Sequence, residues 1–257
     1  MITKPCKIDE IQHLIEEYIQ TLSSPFDSFL EEHILKSAFY IVLNEEMEVG
    51  YYAVRDDELL TQFYIRRSAQ KHAQAIFTQV LDKHDLNLLF VPTCDELFIS
   101  LALDKDITIR KQAYFFQDSQ EIIPADDSLS DVIFRLGGVD DLKDIERVCS
   151  RDFPGDYDKL IEKGELFTYY RGAALLGIGV FEKSSLLPGF ASIGMCTDEA
   201  VRRQGIGRSI ILELMKWCYE HNLTPICGCG YDNHASKRTL ESAGMVTRTR
   251  LLRIEIQ

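Results

Sequence analysis

The apolar positions in the first half of the chain switch repeatedly between helical and alternating spacing. Helical spacing predicts helices over residues 8–22, 26–36, 68–84 and 95–104. Alternating or short continuous apolar runs predict strands over residues 38–43, 49–55, 59–65, 86–91 and 107–116. The polar turn Asn44-Glu45-Glu46 separates the first two of these strands and indicates a hairpin.

The same order of elements returns in the second half. Residues 118–130, rich in Asp, Ser and Pro, interrupt the pattern and are expected to form a linker. Beyond them the spacing predicts helices over residues 140–150, 157–163, 209–221 and 233–243. It predicts strands over residues 132–136, 166–171, 174–182, 190–197 and 223–230. We therefore expect two domains, 1–117 and 131–257.

The two halves also match segment by segment. The segments 49–52, 63–67, 86–91 and 97–104 are mirrored in order by 176–179, 199–203, 223–228 and 234–241. An internal duplication would account for this match and for a length of 257 residues. The mixture of helices and strands predicts an α/β fold class, with an α+β mixed sheet in each of two tandem domains.

The stretch 195–209, M-C-T-D-E-A-V-R-R-Q-G-I-G-R-S, carries the main chemical signal. A strand leads there into a glycine-containing turn, and a helix follows at once. The unpaired N–H groups and the dipole of a helix start favour an anion such as a phosphate. Gly205 and Gly207 remove side chains that would block its close approach, and Arg202, Arg203 and Arg208 supply cationic donors.

This spacing is neither the dinucleotide fingerprint G-x-G-x-x-G nor a P-loop. Read as R-x-x-G-x-G, it resembles the acyl-CoA pyrophosphate loop of the GNAT (N-acetyltransferase) superfamily. A second motif at family spacing follows, formed by Asn233, Ser236, Glu241, Gly244 and Met245. The resemblance implies acetyl-CoA as co-substrate, bound by Met195, Cys196, Thr197, Arg202, Arg203, Gln204, Gly205, Ile206, Gly207, Arg208, Ser209, Asn233 and Ser236.

The resemblance also implies that a substrate amine attacks the thioester directly. Residues 192–197 should splay from residues 225–230, so that backbone groups of Met195, Cys196 and Thr197 pair with the pantetheine arm. A backbone N–H near Met195 would then hold the tetrahedral oxyanion.

The sequence does not identify the acid and the base. Many family members have a Glu on the fourth strand, where residues 190–197 contain no carboxylate, and a Tyr where this chain has Leu240. Tyr231 is the nearest hydroxyl and is our candidate catalytic residue; a packed aromatic residue is the alternative for it. Further candidates are Cys196, Cys229 and His234, or a base acting through water among Asp152, Asp156 and Glu165.

The first half departs from the family at the loop. Residues 68–72, Ser-Ala-Gln-Lys-His, stand in place of the glycine-containing segment and contain no glycine. Side chains there would crowd a pyrophosphate, and Glu96, the rough counterpart of Asn233, would repel it. We expect a degenerate GNAT-like domain without cofactor, with an unrelated α/β domain as the alternative.

Composition limits the partners. The formal net charge of −13 argues against nucleic acid and mildly favours a cationic substrate. No apolar run approaches the ~20 residues of a membrane span, and the first residues lack a signal-peptide core. Seven cysteines, an odd number, predict reduced thiols in a cytoplasmic protein. Cys227 and Cys229 have no second Cys or His pair at metal spacing, so no metal is expected.

Our main hypothesis is a cytoplasmic N-acetyltransferase, a monomer or homodimer, that moves an acetyl group from acetyl-CoA to a primary amine, with a small-molecule amine favoured. The alternative is a non-catalytic acyl-CoA-binding or protein-interaction module. The missing Glu and Tyr favour the alternative, whereas the Arg/Gly loop favours cofactor binding.

Overall fold

A computed structural model describes residues 1–120, 131–149 and 155–257. It divides into two compact units, one formed by Met1–Phe115 with Arg248–Gln257 and the other by Phe116–Thr247. The predicted linker 118–130 lies outside the described residues from position 121 on. No helix in the described part of the chain has the length and apolar character needed to cross a membrane. All seven cysteines are described, and none forms a disulfide.

The first unit consists of strands connected by helices and turns. Its strands are β1 (Ile2–Cys6), β2 (Ala38–Asn44), β3 (Met47–Arg55), β4 (Leu59–Ile65), β5 (Leu88–Pro92) and most of β6 (Ile107–Asp118). Its helices are α1 (Gln12–Thr21), α2 (Ser28–Leu35), α3 (Ala73–His84) and α4 (Glu96–Leu103). Short 3₁₀ segments, Ile8–Ile11 and Arg67–His72, precede α1 and α3.

The second unit repeats this order. Its strands are β7 (Val132–Leu136), β8 (Leu166–Arg171), β9 (Ala174–Lys183), β10 (Phe190–Thr197) and β11 (Thr224–Gly230). Its helices are α5 (Leu142–Cys149), α6 (Tyr157–Glu162), α7 (Ile206–Glu220) and α8 (His234–Ser242). The last strand, β12 (Met245–Ile256), starts in the second unit and belongs to the first from Arg248 on.

Within each unit the strands pair in a mixed arrangement, as the sequence predicts. In the first unit, β1 to β4 are antiparallel neighbours, β5 runs parallel to β4, and β12 pairs antiparallel with β5. In the second unit, β7 to β10 are antiparallel neighbours and β11 runs parallel to β10. In each unit a helix, α3 or α7, connects the two strands of this parallel pair, because parallel neighbours need a crossover connection.

Two strands were not predicted, and one of them changes the division of the chain. The apolar pattern predicts neither β1 nor β12, and residues 248–257 were expected in the second domain. In the structure, β12 pairs with β5 from Leu251↔Pro92 to Glu255↔Leu88. Ile254 is fully buried in the core of the first unit, so burial of apolar surface explains why this segment belongs there.

Two glycines reveal the internal duplication. Gly50 in β3 pairs with Ile65 in β4, and Gly177 in β9 pairs with Thr197 in β10. A Cβ atom on either glycine would overlap the backbone oxygen of the residue that precedes this partner. Both positions therefore need a glycine for the same reason, and the predicted match of residues 49–52 with 176–179 holds in the structure.

Two other predicted matches need correction. The glycine pairs align Ile65 with Thr197, so residues 63–65 match 195–197 rather than 199–201. Residues 199–201 form a 3₁₀ turn, whereas residues 63–65 lie in a strand. The counterpart of Asn233 is Asp95 and not Glu96, because each caps its helix by accepting a backbone N–H from the third residue that follows.

Asp95 is the most unusual buried group of the first unit. Its Oδ1 accepts the Phe98 N–H at 2.9 Å and caps α4, and the Tyr18 hydroxyl also interacts with the carboxyl. Only 4% of the residue is exposed. Burial raises the pKa of this carboxyl to about 6, against the opposing effect of the Phe98 N–H.

Candidate functional site

β10 and β11 lie side by side only where they begin. Phe190, Ala191 and Ser192 pair with Thr224, Pro225 and Ile226, and the pairing stops there within the described residues. On its other side β10 remains paired with β9 as far as Thr197↔Gly177. The predicted splay of the two parallel strands is therefore present, and it leaves the edge of β10 that faces β11 open over its second half.

The loop from β10 to α7 is held by its own residues. Asp198 accepts the Ala200 N–H at 2.9 Å and caps the 3₁₀ turn Glu199–Val201. Arg203 and Gly205 then both have a positive φ, +63° and +82°. Gly205 is the N-cap of α7, and glycine is the residue that adopts this left-handed backbone without strain. This turn starts α7 at Ile206, earlier than the predicted Ser209.

The first turn of α7 presents unpaired backbone donors. The first helical hydrogen bond runs from Ser209 N to Gly205 O at 3.0 Å. The N–H groups of Ile206 and Gly207 precede it and have no acceptor within the helix. Together with the helix dipole they make this end of α7 favourable for an anion.

A cavity of about 910 Å³ extends from this helix start into the opening between β10 and β11. Its cationic side chains are Arg202, Arg203, Arg208 and Arg238. Of the residues that the structure describes, no Asp or Glu lines it. In a chain with a formal net charge of −13, the cavity thus concentrates positive charge and suits an anionic ligand.

The four guanidinium groups differ in what they contact. Arg208 donates from Nε to the backbone oxygen of Ser242 at 2.9 Å, and Arg202 lies 3.8 Å from the Glu199 carboxylate. Arg203 and Arg238 have no hydrogen bond or ion pair with any described residue. The cavity thus holds two guanidinium groups that other side chains do not neutralise.

The start of α8 forms the opposite wall. The Oδ1 of Asn233 accepts the Ser236 N–H at 3.1 Å, which leaves the amide N–H groups of Asn233 for a ligand. α7 approaches α8 and β10 closely at Gly207, where a Cβ atom would lie 3.1 Å from Cγ2 of Thr239 and 3.3 Å from Sδ of Met195. Gly207 therefore allows close packing as well as access to the loop.

Most residues that the family motif implies as cofactor-binding residues lie along this cavity. They are Met195, Cys196, Thr197, Arg202, Arg203, Gly205, Ile206, Gly207, Arg208, Asn233 and Ser236. Gln204 and Ser209 are not among its lining residues, and neither is the candidate catalytic residue Tyr231. The structure thus brings the two motifs together along one cavity.

Several lining residues were not recognised in the sequence. On α8 they include Arg238, Thr239 and Ser242, and on β11 they include Cys227 and Gly228. Ser236, Thr239 and Ser242 are three residues apart, so helical spacing from the predicted Ser236 could have found two of them. Arg238 had no such signal.

Titratable groups suited to acid or base catalysis are scarce along the cavity. Leu240, which stands where many family members have a Tyr, is 2% exposed and lines the cavity. The thiols of Cys196, Cys227 and Cys229 also line it. Within the described part of the chain, no group of three or more His, Cys, Asp or Glu side chains could hold a metal ion.

Of the proposed bases that the structure describes, Asp156, Glu165 and His234 do not line the cavity either. Asp152 lies outside the described residues. Asp156 caps α6 and bonds Lys159, which lowers the pKa of its carboxyl and makes it a weaker base. Glu165 lies 3.6 Å from the Lys163 ammonium. None of these contacts directs a carboxylate toward the open edge of β10.

Aromatic side chains fill the corresponding place in the first unit. β4 and β5 also pair only at their starts, at Leu59↔Leu88 and Leu60↔Leu89. Phe63 matches Met195 in the strand alignment, and Phe98 matches Ser236 in the capping alignment. Phe63, Phe77 and Phe98 are fully buried, with ring centroids 5.1 to 6.5 Å apart.

In the first unit, the arginine that follows β4 is bonded to other residues of the same unit. Arg66 donates from Nε and Nη2 to the Glu17 carboxylate at 2.8 and 2.6 Å, and from Nη1 to the Glu48 backbone oxygen at 2.7 Å. The bond from Arg66 holds the pKa of Glu17 below its usual value. This guanidinium is therefore committed to structure within its own unit.

Comparisons with known proteins match both halves to the same family. Residues 7–119 match the model described as an acetyltransferase (GNAT) domain, and residues 140–245 match that of the acetyltransferase (GNAT) family. Together the two matches cover most of the chain. A search of curated proteins finds no significant match.

Solved structures share the fold over the whole chain. An acetyltransferase from the GNAT family of Colwellia psychrerythraea has a TM-score of 0.88 at 21% identity, with 100% of each chain covered. A GCN5-related N-acetyltransferase from Sphaerobacter thermophilus has a TM-score of 0.69 at 11% identity, with coverage of 99% of this chain and 95% of that one. A tandem GNAT protein from the clavulanic acid biosynthesis pathway has a TM-score of 0.63 at 13% identity, with 99% and 98% covered. With a matching domain in each half and, in each unit, a parallel strand pair that splays, this protein is a tandem member of the GNAT acetyltransferase superfamily.

Proposed function

We propose that the second unit binds acetyl-CoA and transfers its acetyl group to a primary amine. The observation that carries this proposal is the cavity at the start of α7, which has four arginines and, among the described residues, no carboxylate. Family membership supports N-acetyltransferase activity at a general level. The identity of the donor, the acceptor class and the mechanism are our inference.

The pyrophosphate of the donor lies on the loop before α7. The N–H groups of Ile206 and Gly207 donate to it, and Arg203 adds a guanidinium with no competing partner among the described residues. Arg202 and Arg208 approach from the two ends of the loop. Charge-assisted hydrogen bonds of this kind hold a phosphate more strongly than neutral ones.

The pantetheine arm lies in the opening between β10 and β11. The open edge of β10 offers backbone groups of Met195, Cys196 and Thr197, and an extended chain can pair with such an edge as an added strand. The amide N–H groups of Asn233 meet the arm from the α8 side. The thioester thereby reaches the point where the two strands separate.

The amine attacks the thioester carbonyl at that point. A backbone N–H near Met195 donates to the oxyanion of the tetrahedral intermediate. An alkylammonium of pKa about 10 cannot attack, so its proton must leave first. Collapse of the intermediate breaks the carbon–sulfur bond and expels the CoA thiolate. Because the described lining contains no carboxylate, we propose that water takes the proton from the amine and supplies one to the thiolate, and that the enzyme acts mainly by positioning both substrates.

A turnover assay with the full chain tests this proposal. Acetyl-CoA is incubated with polyamines, amino acids, aminoglycosides and peptides, and release of the CoA thiol is followed. We expect thiol release with at least one amine, and we expect Arg203→Ala to weaken acetyl-CoA binding about tenfold or more. Arg67→Ala, an exposed arginine at the start of the 3₁₀ segment of the first unit, is the matched control and should leave binding unchanged.

A different result of this assay would support the alternative function, a module that binds acyl-CoA without catalysis. Leu240 in place of a hydroxyl, and the lack of a carboxylate in the described lining, both favour a module that binds acyl-CoA without reacting. Acetyl-CoA binding that depends on Arg203, with no thiol release across the whole panel, would establish this alternative. A chain that binds no acetyl-CoA would contradict both.

A further inference from the structure

Arg238 is a cation of the cavity that the loop motif does not explain. It lies on α8, whereas Arg202, Arg203 and Arg208 lie on the loop and the first turn of α7. It is exposed, lines the cavity and has no hydrogen bond or ion pair with any described residue. Its neighbour Lys237 pairs with Glu241, so the two adjacent cations of α8 differ in their contacts.

The position of Arg238 is fixed relative to the loop. The next residue on α8, Thr239, is the one that a Cβ atom on Gly207 would approach at 3.1 Å. Arg208 is bonded to the Ser242 backbone oxygen near the end of the same helix. Arg238 therefore lies next to the residue through which α8 contacts the first turn of α7.

We propose that Arg238 binds a second phosphate of the donor, the 3′-phosphate on its ribose, and so selects CoA esters over their 3′-dephospho forms. This inference rests on the proposed function, in which the loop holds the pyrophosphate. The 3′-phosphate is a monoester with a charge of about −1.5 to −2, and it needs its own cation once the loop groups are engaged. The planar guanidinium of arginine matches phosphate oxygens in pairs, which gives geometric selectivity as well as charge.

The position of Arg238 favours the 3′-phosphate of the donor as its partner over a carboxylate of the acceptor. The acceptor must meet the thioester where β10 and β11 separate, whereas Arg238 lies beside the α7 end that holds the pyrophosphate. A ligand group that reaches Arg238 must therefore branch from the nucleotide end of the donor. In CoA, the anionic group on that end besides the pyrophosphate is the 3′-phosphate.

Calorimetric titration of the full chain with two ligands, acetyl-CoA and 3′-dephospho-acetyl-CoA, tests this inference. The unchanged protein should bind acetyl-CoA more tightly than 3′-dephospho-acetyl-CoA, by about tenfold or more. Arg238→Ala should remove this preference by weakening acetyl-CoA alone. Lys237→Ala, the neighbouring cation that pairs with Glu241, is the matched control and should preserve the preference. Arg203→Ala should weaken both ligands by a similar factor, because both carry the pyrophosphate.

The outcomes separate this inference from the function on which it rests. If both ligands bind and Arg238→Ala changes them equally or not at all, the assignment of Arg238 is wrong while donor binding stands. If the unchanged protein binds neither ligand, the proposed function is wrong and the assignment of Arg238 falls with it.

Discussion

Gly205 sets both the start of α7 and the access to its unpaired N–H groups. Its φ of +82° lies in the left-handed region, where most side chains are strained. Asn and Asp tolerate this region better than other residues. They have nearly the same size and differ in charge, so they form a matched pair for this position.

We expect Gly205→Asp to weaken acetyl-CoA binding about tenfold or more relative to Gly205→Asn. A carboxylate would lie where the pyrophosphate should bind and would compete for the same N–H groups, each charge-assisted bond being worth about 1.5–3 kcal/mol. Calorimetry measures the two affinities.

Thermal unfolding of the two Gly205 variants provides the control, because both should melt at similar temperatures. Equal affinities in two folded variants would mean that the loop is only a connection. Gly207 is a poorer test position, because a side chain there would also displace Thr239 and Met195.

At this scale the sequence predicted residues whose chemistry is tied to a local conformation. Glycines and arginines in a fixed spacing identify a phosphate loop because few other residues can replace them there. Arg238 could not be recognised, because an arginine on a helix has no special spacing and its exposure on the cavity depends on how α7 packs on α8. Tyr231 is the nearest hydroxyl in sequence, and it is not among the residues that line the cavity.

The buried N-cap residue of α4, Asp95, should make the free energy of unfolding depend on pH. Asp95 is buried, and its pKa is raised to about 6. The folded state therefore binds a proton more tightly than the unfolded state, whose pKa is about 3.9. The resulting stability is present below the unfolded pKa and is lost as the pH rises through about 6.

We expect Asp95→Asn to remove this pH dependence while keeping the cap, because Asn is also a good N-cap. The free energy of unfolding of the variant relative to the unchanged protein should rise by about 2–3 kcal/mol between about pH 4 and pH 7. Urea unfolding followed by circular dichroism measures this difference. Parallel stability curves for the two proteins over that range would show that Asp95 keeps an ordinary pKa.

The sequence predicted helices and hairpins better than it predicted β1 and β12. β1 is short, includes Pro5 and is mostly exposed, so it has no apolar period to recognise. β12 contains Arg248, Arg250 and Arg253 and two adjacent leucines, which interrupt the alternation. Its partner β5 lies in the other half of the chain, and no local pattern can indicate so distant a pairing.

Over the whole molecule, the two units contain the same elements but differ in what occupies the space where their parallel strands separate. The second unit has a cavity lined by arginines, and the first has three packed phenylalanines together with an arginine committed to Glu17. Negative charge prevails over the chain as a whole, so the arginine cavity stands out as the place where an anionic donor can bind.

We expect one CoA to bind per chain. Equilibrium titration of the full chain with acetyl-CoA should give a stoichiometry of about one, because Phe63 and Phe98 fill the corresponding space of the first unit by apolar burial. Arg202→Ala and Arg203→Ala should weaken this binding, whereas Arg67→Ala and Lys71→Ala should not. Two sites per chain, or binding that is lost on changing Arg67 and kept on changing Arg203, would reverse the assignment of the two halves.

The position of β12 has a consequence for how the protein is made. The first unit is completed by Arg248–Gln257, which pair with β5. During synthesis, that edge of β5 remains unpaired until the ribosome has produced the entire second unit. An unpaired strand edge favours association with other chains, and contacts between residues far apart in sequence form slowly. The first unit can therefore complete its fold only after the second unit has been synthesised. For the same reason, dividing the chain at one point between the two units would leave the first unit without its last strand.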